Sequence, residues 1–301
     1  MHNIIWGMAK NGHDWAISIY KNEHCIKNLS GKGSQHTKQS IQQAKEEGYP
    51  DLVVWYENPY LKATRQLWAG QKRPFARNNI SRYLKDLDIN CKWVYTGHHE
   101  SHAAHFYNSP FLDASIIVID SIGEWDTTSI WRGFGNKITK IRSVKYPHSI
   151  GLFYSSMTHR IGLEPQADEG KLEVKSKIVK DYEVTKGSIE NELIKSHKWK
   201  PLFTRNMHKG IKGWRSEFYD NHIAAATQSV FEDLVMNISD YVYNKLPSRN
   251  LIISGGCGFN QGIRPLLKDK WDNVFFPKNP SDSGSAETCV LSYLRNMKNG
   301  N

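Results

Sequence analysis

The order of apolar and polar positions predicts an α/β chain built from two similar halves. Residues 3–8 are apolar and read as a strand. A Gly-bearing turn at 10–13 leads into 15–20, where apolar and small residues alternate, and Asn22-Glu23 turns the chain into a third strand at 24–27. The Gly-, Ser- and Lys-rich stretch 29–36 reads as a loop. A helix follows over 38–47, closed by Gly48 and stopped by Pro50. Residues 52–56 form a short strand of the buried type, and a basic helical stretch runs through Arg65 and Arg82 to Leu87 with a break at Pro74. A short strand over 93–96 precedes a helix from His98 to about Tyr107. The pattern then restarts with strands at 115–120, 128–132 and 138–144, the first pair again joined by a turn with Gly and acids. The rest reads as helices over 151–161, 223–245, 261–268 and 283–297, with short strands at 251–254 and 274–276.

Strands alternating with helices give an α/β protein. Two meander-led halves suggest a duplicated ribonuclease-H-like fold of the actin, Hsp70 and sugar-kinase type, with a nucleotide cleft between the halves. The expected division is a first subdomain over 1–112 and a second over 113–301, the latter with a basic, aromatic insertion near 178–220.

Composition narrows the classes. The chain has 301 residues, 39% hydrophobic and 23% charged, so it is not a disordered chain. Its apolar runs are far shorter than the ~20 residues of a membrane span, and no signal peptide is visible at the start. The four cysteines form no CxxC pair and read as reduced thiols, which places the protein in the cytoplasm. Forty Lys and Arg against thirty Asp and Glu leave a net charge of +10. That excess favours a polyanionic partner, nucleic acid first, or serves solubility alone.

Four segments carry candidate chemistry. In His98-His99-Glu100-Ser101-His102, His98 and His102 stand at i and i+4 on one helix face. They are metal ligands or ordinary helix-surface histidines; the glutamate is misplaced for a zinc protease. Asp120 ends a strand and is followed by the Gly123-Glu124 turn, a phosphate cradle or a plain hairpin. Gly255, Gly256 and Asn260 lie in a glycine-rich strand-to-helix turn that can admit a phosphate. Asp282 is an N-cap of the last helix or a metal ligand.

Together these segments resemble the O-carbamoyltransferases of the nodulation-protein and tobramycin carbamoyltransferase type, relatives of the enzymes that place threonylcarbamoyl on tRNA adenosine. The likeness runs along nearly the whole chain. It includes Gly12-His13-Asp14, Tyr56-Glu57-Asn58-Pro59, the block from His98 to Phe111, the run from Asp120 to Ser129, the block from Pro147 to Ser155, Glu169 with Lys171, the turn from Gly255 to Asn260, and Asp282 to Gly284. The resemblance implies that His98, His102, Asp120 and Asp282 bind one divalent metal, iron first, with manganese or zinc as alternatives. It implies that Gly123, Glu124, Gly255, Gly256 and Asn260 hold the carbamoyl-adenylate made from carbamoyl phosphate and ATP. It places His13, Asp14 and Lys171 among the catalytic residues, with His13 and Asp14 on the acceptor side.

Two departures stand out. Family members commonly run to about twice this length and end in a YrdC-like domain that forms carbamoyl-adenylate. This sequence has no room for one, so a separate carbamoyl-adenylate-forming protein is expected as a partner, or another route to the adenylate. Where the family usually reads Lys-x-Met-Gly-Leu-Ala, this sequence reads Lys171-Leu172-Glu173-Val174-Lys175-Ser176, which leaves the role of Lys171 open.

For the acceptor, residues 195–218 interleave Lys195, Lys198, Lys200, Arg205, Lys209, Lys212 and Arg215 with Trp199, Phe203, Trp214 and Phe218, and Lys72, Arg73, Arg77 and Arg82 form a second basic stretch. Cations that meet phosphates and rings that stack on bases suit nucleic acid, and a solvated insertion with aromatic anchors is the alternative. The expected acceptor is DNA carrying a hydroxymethylated pyrimidine, which would have to leave the stack. A small natural product or sugar is the second reading, and a non-catalytic nucleotide-binding partner subunit the third.

Overall fold

The structure, a computed structural model, describes residues 2–10, 12 and 14–299. The first half opens with β1 (Ile4–Lys10), β2 (Asp14–Lys21) and β3 (His24–Lys32), then α1 (Lys38–Glu47), β4 (Leu52–Trp55), α2 (Pro59–Trp68), α3 (Pro74–Arg77), α4 (Ile80–Asp86) and β5 (Lys92–Tyr95). Helix α5 (His98–Ala103) runs on into a 3-10 turn (Ala104–Asn108). The second half repeats the meander as β6 (Asp113–Gly123), β7 (Asp126–Phe134) and β8 (Lys137–Lys145). Then come α6 (Ile150–Arg160), α7 (Glu169–Lys175), α8 (Glu183–Leu193), the small hairpin β9 (Ile194–Ser196) and β10 (Leu202–Phe203), and α9 (Asp220–Lys245). The chain closes with β11 (Asn250–Ser254), α10 (Ile263–Lys270), β12 (Asn273–Phe275) and α11 (Asp282–Asn299).

The two five-stranded sheets have the same topology. Their orders are β3-β2-β1-β4-β5 and β8-β7-β6-β11-β12. In each, an antiparallel meander is extended by two parallel strands, with Ile5 beside Leu52 in the first sheet and Ile117 beside Ile253 in the second. This is the duplicated ribonuclease-H-like, actin-type fold. The central strands β1, β4, β6 and β11 are nearly continuous apolar runs because both faces of each sheet are covered.

The edge strand β3 extends through Lys32, beyond the end that polarity suggested. Its ladder to β2 holds from Lys21↔His24 to Asp14↔Lys32. An edge strand needs backbone pairing more than burial, so polar residues there do not mean loop. Helices α7 and α8 leave little mark in the sequence, because the segment between α6 and α9 lacks a strong apolar period.

Two helices cross between the halves. Ile116 and Val118 of β6 face one way, into a cluster with Ala103 and Phe106, so α5 and its 3-10 turn cover the second sheet. Ile117 and Ile119 face the other way, into the core formed with α6 and α9. Helix α11, the last element of the chain, returns to the first sheet and buries Ala286, Cys289 and Val290 against β1 and β4. Helices α5 and α11 also pack on each other, so they lie together between the sheets.

At Gly7 the backbone of α11 comes so close that a Cβ would sit 1.7 Å from Ala286 O and 2.7 Å from Val290 Cγ2. We expect Gly7→Ala to lower stability by roughly 1–3 kcal/mol through this clash, read from the urea midpoint; an unchanged midpoint would refute the close packing.

His36 is buried between β2 and α4, where Nδ1 lies 2.7 Å from Tyr83 Oη and Nε2 lies 3.0 Å from Ala16 O. Burial pushes its pKa down to about 4. Between about pH 6.5 and pH 4 the unfolded chain takes up a proton there that the folded chain refuses, so stability falls as pH drops through that window, by up to about 3 kcal/mol. Chemical denaturation at pH 7 and pH 4.5 checks this, with His36→Gln expected to narrow the gap between the two midpoints.

Candidate metal centre

Four donors from distant parts of the chain meet where α5, β6 and α11 converge. Helix α5 presents His98 and His102, one turn apart. Asp120 comes from β6, on the side of Ile116 and Val118, and Asp282 opens α11. His98 Nε2 lies 3.1 Å from Asp120 Oδ2 and 3.3 Å from Asp282 Oδ1. His102 Nε2 lies 3.1 Å from the same Asp282 oxygen and 3.2 Å from His98 Nε2. All four donor atoms lie within 4.8 Å of one another.

The surroundings orient each donor. Gly256 N donates to Asp120 Oδ1 at 3.2 Å, which turns Oδ2 toward His98. Glu57 Oε2 sits 3.6 Å from His98 Nδ1, and Lys62 Nζ holds the other Glu57 oxygen at 2.5 Å. Ser285 Oγ lies 3.3 Å from His102 Nδ1. Carboxylates and hydroxyls behind imidazoles fix which ring nitrogen faces inward. Glu124 anchors α5 from below, its Oε1 accepting the His98 N–H at 3.1 Å and the Asn58 N–H at 2.5 Å. Gly123 permits this approach, since a Cβ there would sit 2.2 Å from the His98 ring.

The donor set fits a divalent cation. Two buried imidazole Nε2 atoms face each other across 3.2 Å with two largely covered aspartates beside them. Burial opposes ionisation of Asp120 and Asp282, yet the two imidazoles hold both carboxyls below the usual carboxylate range. Donors about 2.1 Å from a common ion lie roughly 3.0–3.4 Å apart along the edges of its coordination shell, which the observed contacts match. Mixed imidazole and carboxylate ligation suits iron, manganese or zinc.

The centre lies on the wall of a 540 Å³ cavity between the halves. Tyr56, Glu57, Lys62 and Arg65 line it from the first half; Tyr154, Glu169, Glu173, Gly256 and Asn260 line it from the second. Asp14 lies at its edge, with one carboxylate oxygen 3.2 Å from Lys32 Nζ.

The remaining sequence assignments fare unevenly. His13 lies outside the described residues. Gly256 and Asn260 reach the cleft, but the Asn260 amide is taken up by a reciprocal pair with Gln228 at 2.9 Å in both directions. Gly123, Glu124 and Gly255 are not part of the cleft lining: the first two brace α5, and Gly255 lies against the Ile119 carbonyl. Lys171 is displaced altogether. It is 67% exposed and paired with Asp168 at 2.8 Å, because α7 turns Glu169 and Glu173 toward the cleft and Lys171 toward solvent.

The rings of 195–218 also turn inward. Phe203 and Trp214 belong to the core, and Trp199 stacks on Tyr241 at 4.9 Å. Apolar anchoring of the insertion takes the faces that base stacking would need. Sequence reasoning missed Glu57 and Glu124 as braces of the site, although the pairing of an acid with a helix N-terminus is a readable signal.

Fold and site together define an α/β protein of the duplicated actin type whose interdomain cleft carries a mixed imidazole–carboxylate centre. The chain matches the family described as Carbamoyltransferase N-terminus over residues 60–290, and it belongs to that family. An uncharacterized protein of Synechocystis is 28% identical over 303 aligned positions, covering 82% of this chain and 48% of its own length. One from Methanocaldococcus jannaschii is 26% identical, covering 91% of this chain and 54% of its own. The chain thus spans about half the length of the curated relatives it matches. Among solved structures, the activator of 2-hydroxyisocaproyl-CoA dehydratase from Clostridium difficile with bound ADPNP aligns at TM-score 0.54 and 14% identity, over 100% of this chain and 97% of that one. Full-length HypF in its phosphate- and nucleotide-bound form aligns at TM-score 0.54 and 12% identity, over 98% of this chain and 46% of that one. At such identities the likeness shows the fold. No helix among the described residues is long and apolar enough to cross a membrane.

Purified protein is expected to hold one divalent cation per chain. His102→Ala should lower its affinity at least about 100-fold and Glu57→Gln about 10-fold, measured by calorimetry and elemental analysis. Unchanged binding by a His98→Ala/Asp282→Ala double variant would refute the site.

Proposed function

We propose that the protein is an O-carbamoyltransferase that moves a carbamoyl group from carbamoyl-adenylate to a hydroxyl on a nucleic acid. The observation that carries the transfer reading is the four-donor cluster on the wall of the cleft, in a chain of the carbamoyltransferase family. The net charge of +10 supports a polyanionic acceptor, with a hydroxymethylated pyrimidine in DNA as the candidate.

His98, His102, Asp120 and Asp282 would hold the metal, iron first. A divalent cation there supplies positive charge against the phosphate of a mixed anhydride. The strand-to-helix turn with Gly256 and Asn260 borders the space for the nucleotide. The acceptor oxygen attacks the carbamoyl carbon, a C–O bond forms, the bond to the phosphate oxygen breaks, and AMP leaves. The hydroxyl proton goes to a base on the acceptor side, for which the Asp14 carboxylate at the cleft edge is the candidate. Glu57, held by Lys62, stands 3.6 Å behind His98 Nδ1 as a negative charge that favours a proton on that nitrogen and so leaves Nε2 to face the metal. The donor is carbamoyl-adenylate, formed from carbamoyl phosphate and ATP before the transfer step.

The test is mass spectrometry of hydroxymethylated DNA, sugars and nucleosides after incubation with carbamoyl-adenylate, or with carbamoyl phosphate, ATP and Fe²⁺. The expected result is one carbamoyl group added to the DNA. Asp14→Asn should lower kcat by about 100-fold or more while nucleotide affinity stays unchanged. Transfer to none of the acceptors would overturn the reading, and transfer to sugars alone would overturn its acceptor.

A further inference from the structure

The segment from α2 to α4 holds Lys62, Arg65, Lys72, Arg73, Arg77, Arg82 and Lys85 and no acid until Asp86. Lys72, Arg73, Arg77 and Arg82 are exposed. Trp68 and Phe75 stand among them at 63% and 50% exposure, unlike the inward rings of 195–218. In that other basic region Arg215 is already engaged by Glu192 and Glu217. Among the described residues, the ion pairs of the α2–α4 cations to acids are those of Lys62 with Glu57 and Arg82 with Asp86.

Arg65 is the second observation. It is only 6% exposed, it lines the cleft, its Nε has no hydrogen-bond partner, and among the described residues its guanidinium forms no ion pair. Its guanidinium carbon lies 5.8 Å from the centre of the Tyr146 ring, across the mouth between the halves. A guanidinium stays charged in any protein, and the Glu57 carboxylate that reaches it electrostatically is already shared with Lys62 Nζ at 2.5 Å, so its burial is incompletely compensated and costly. An anion at the cleft mouth relieves that cost. Arg65 and the diglycine turn line the same cavity from opposite halves, which leaves room for a donor at the turn and a second substrate at Arg65.

We propose that the α2–α4 face docks the single-stranded nucleic acid that bears the acceptor hydroxyl. Arg65 grips a phosphate beside the acceptor nucleotide, the exposed cations track the strand outward, and Trp68 and Phe75 stack on its bases. The inference rests on the acceptor reading above and names the surface that serves it. A single strand fits because its bases are free to stack and one can enter the cleft unpaired.

The experiment is fluorescence anisotropy of a labelled single-stranded oligodeoxynucleotide across a salt series, with no donor present. Lys72→Glu/Arg73→Glu/Arg77→Glu should weaken binding about 100-fold and lower the log–log salt slope by about 2. Arg65→Met should weaken it about 10-fold and lower the slope by about 1, leaving AMP affinity unchanged. Trp68→Ala should weaken it about 10-fold without changing the slope. Lys198→Glu/Lys212→Glu should bind as the wild type does. The proposal is overturned if the triple reversal binds within about twofold of wild type, if the loss follows Lys198/Lys212 instead, or if Arg65→Met loses AMP in equal measure. Should Arg65→Met fail to fold, the triple surface variant decides. Strand binding as described without carbamoylation would overturn the transfer reading and leave this surface standing; transfer without strand binding would do the reverse.

Discussion

Two buried imidazoles and two largely covered carboxylates within 4.8 Å of one another form the constraint around which the rest of this protein is arranged. Left uncompensated, each such carboxylate costs several kcal/mol. The cluster is tolerable only if positive charge enters it and every remaining lone pair is used. That demand explains features that otherwise look unrelated. Gly256 spends its N–H on Asp120, Glu57 stands behind His98 with Lys62 to balance it, and Ser285 faces the outer nitrogen of His102.

The same constraint accounts for the exchange of helices between the halves. Each half alone could bury a helix of its own against its sheet. Instead α5, which follows the first sheet in the chain, covers the second, and α11, which follows the second, covers the first. With the two helices packed on each other between the sheets, donors near residues 100 and 282 come within a few ångströms of the end of β6. The helices therefore do more than fill the core: a shift of α11 along β1 moves Asp282 away from His102. Gly7 sets that spacing by letting the helix backbone touch the strand.

This division also explains what was legible in the sequence and what was not. The meanders, the parallel strands and the long α9 show in their apolar period, and the pairing of His98 with His102 shows in a spacing of four. The duplicated topology follows from those signals. The packing of α11 on the first sheet does not, because Ala286, Cys289 and Val290 would suit either core. The turns were harder still. Gly123, Gly255 and Glu124 look like a phosphate cradle because glycine beside acid is what such cradles contain, yet here Gly123 makes room for an imidazole and Glu124 satisfies backbone N–H groups of Asn58 and His98. Composition names the residues that can approach a ligand closely; only the packing says whether the close neighbour is a ligand or another part of the chain. Lys171 turns away for a related reason, since it stands two residues from both Glu169 and Glu173, about 200° round the helix from each.

The basic residues follow the same logic with the opposite sign. Two stretches of similar charge and aromatic content differ in where their rings go. In 195–218 the rings anchor the insertion to the core and Arg215 is tied to Glu192 and Glu217, so the exposed ring next to this segment is Tyr219 at its end rather than one among its cations. In α2–α4 the buried positions of α2 are Pro59, Ala63 and Arg65, while Trp68 meets Trp125 and Tyr146 of the second half edge-on and keeps 63% of its surface exposed. A buried guanidinium next to an acid-poor, ring-bearing face is unstable in isolation and stable beside a phosphate. The metal centre gathers excess negative charge and so calls for a cation; the cleft mouth gathers excess positive charge and so calls for an anion. On the proposed reading two substrates answer these demands separately, a donor whose leaving phosphate lies against the metal centre and an acceptor whose phosphate lies at Arg65, with both halves of the fold lining the cavity between them.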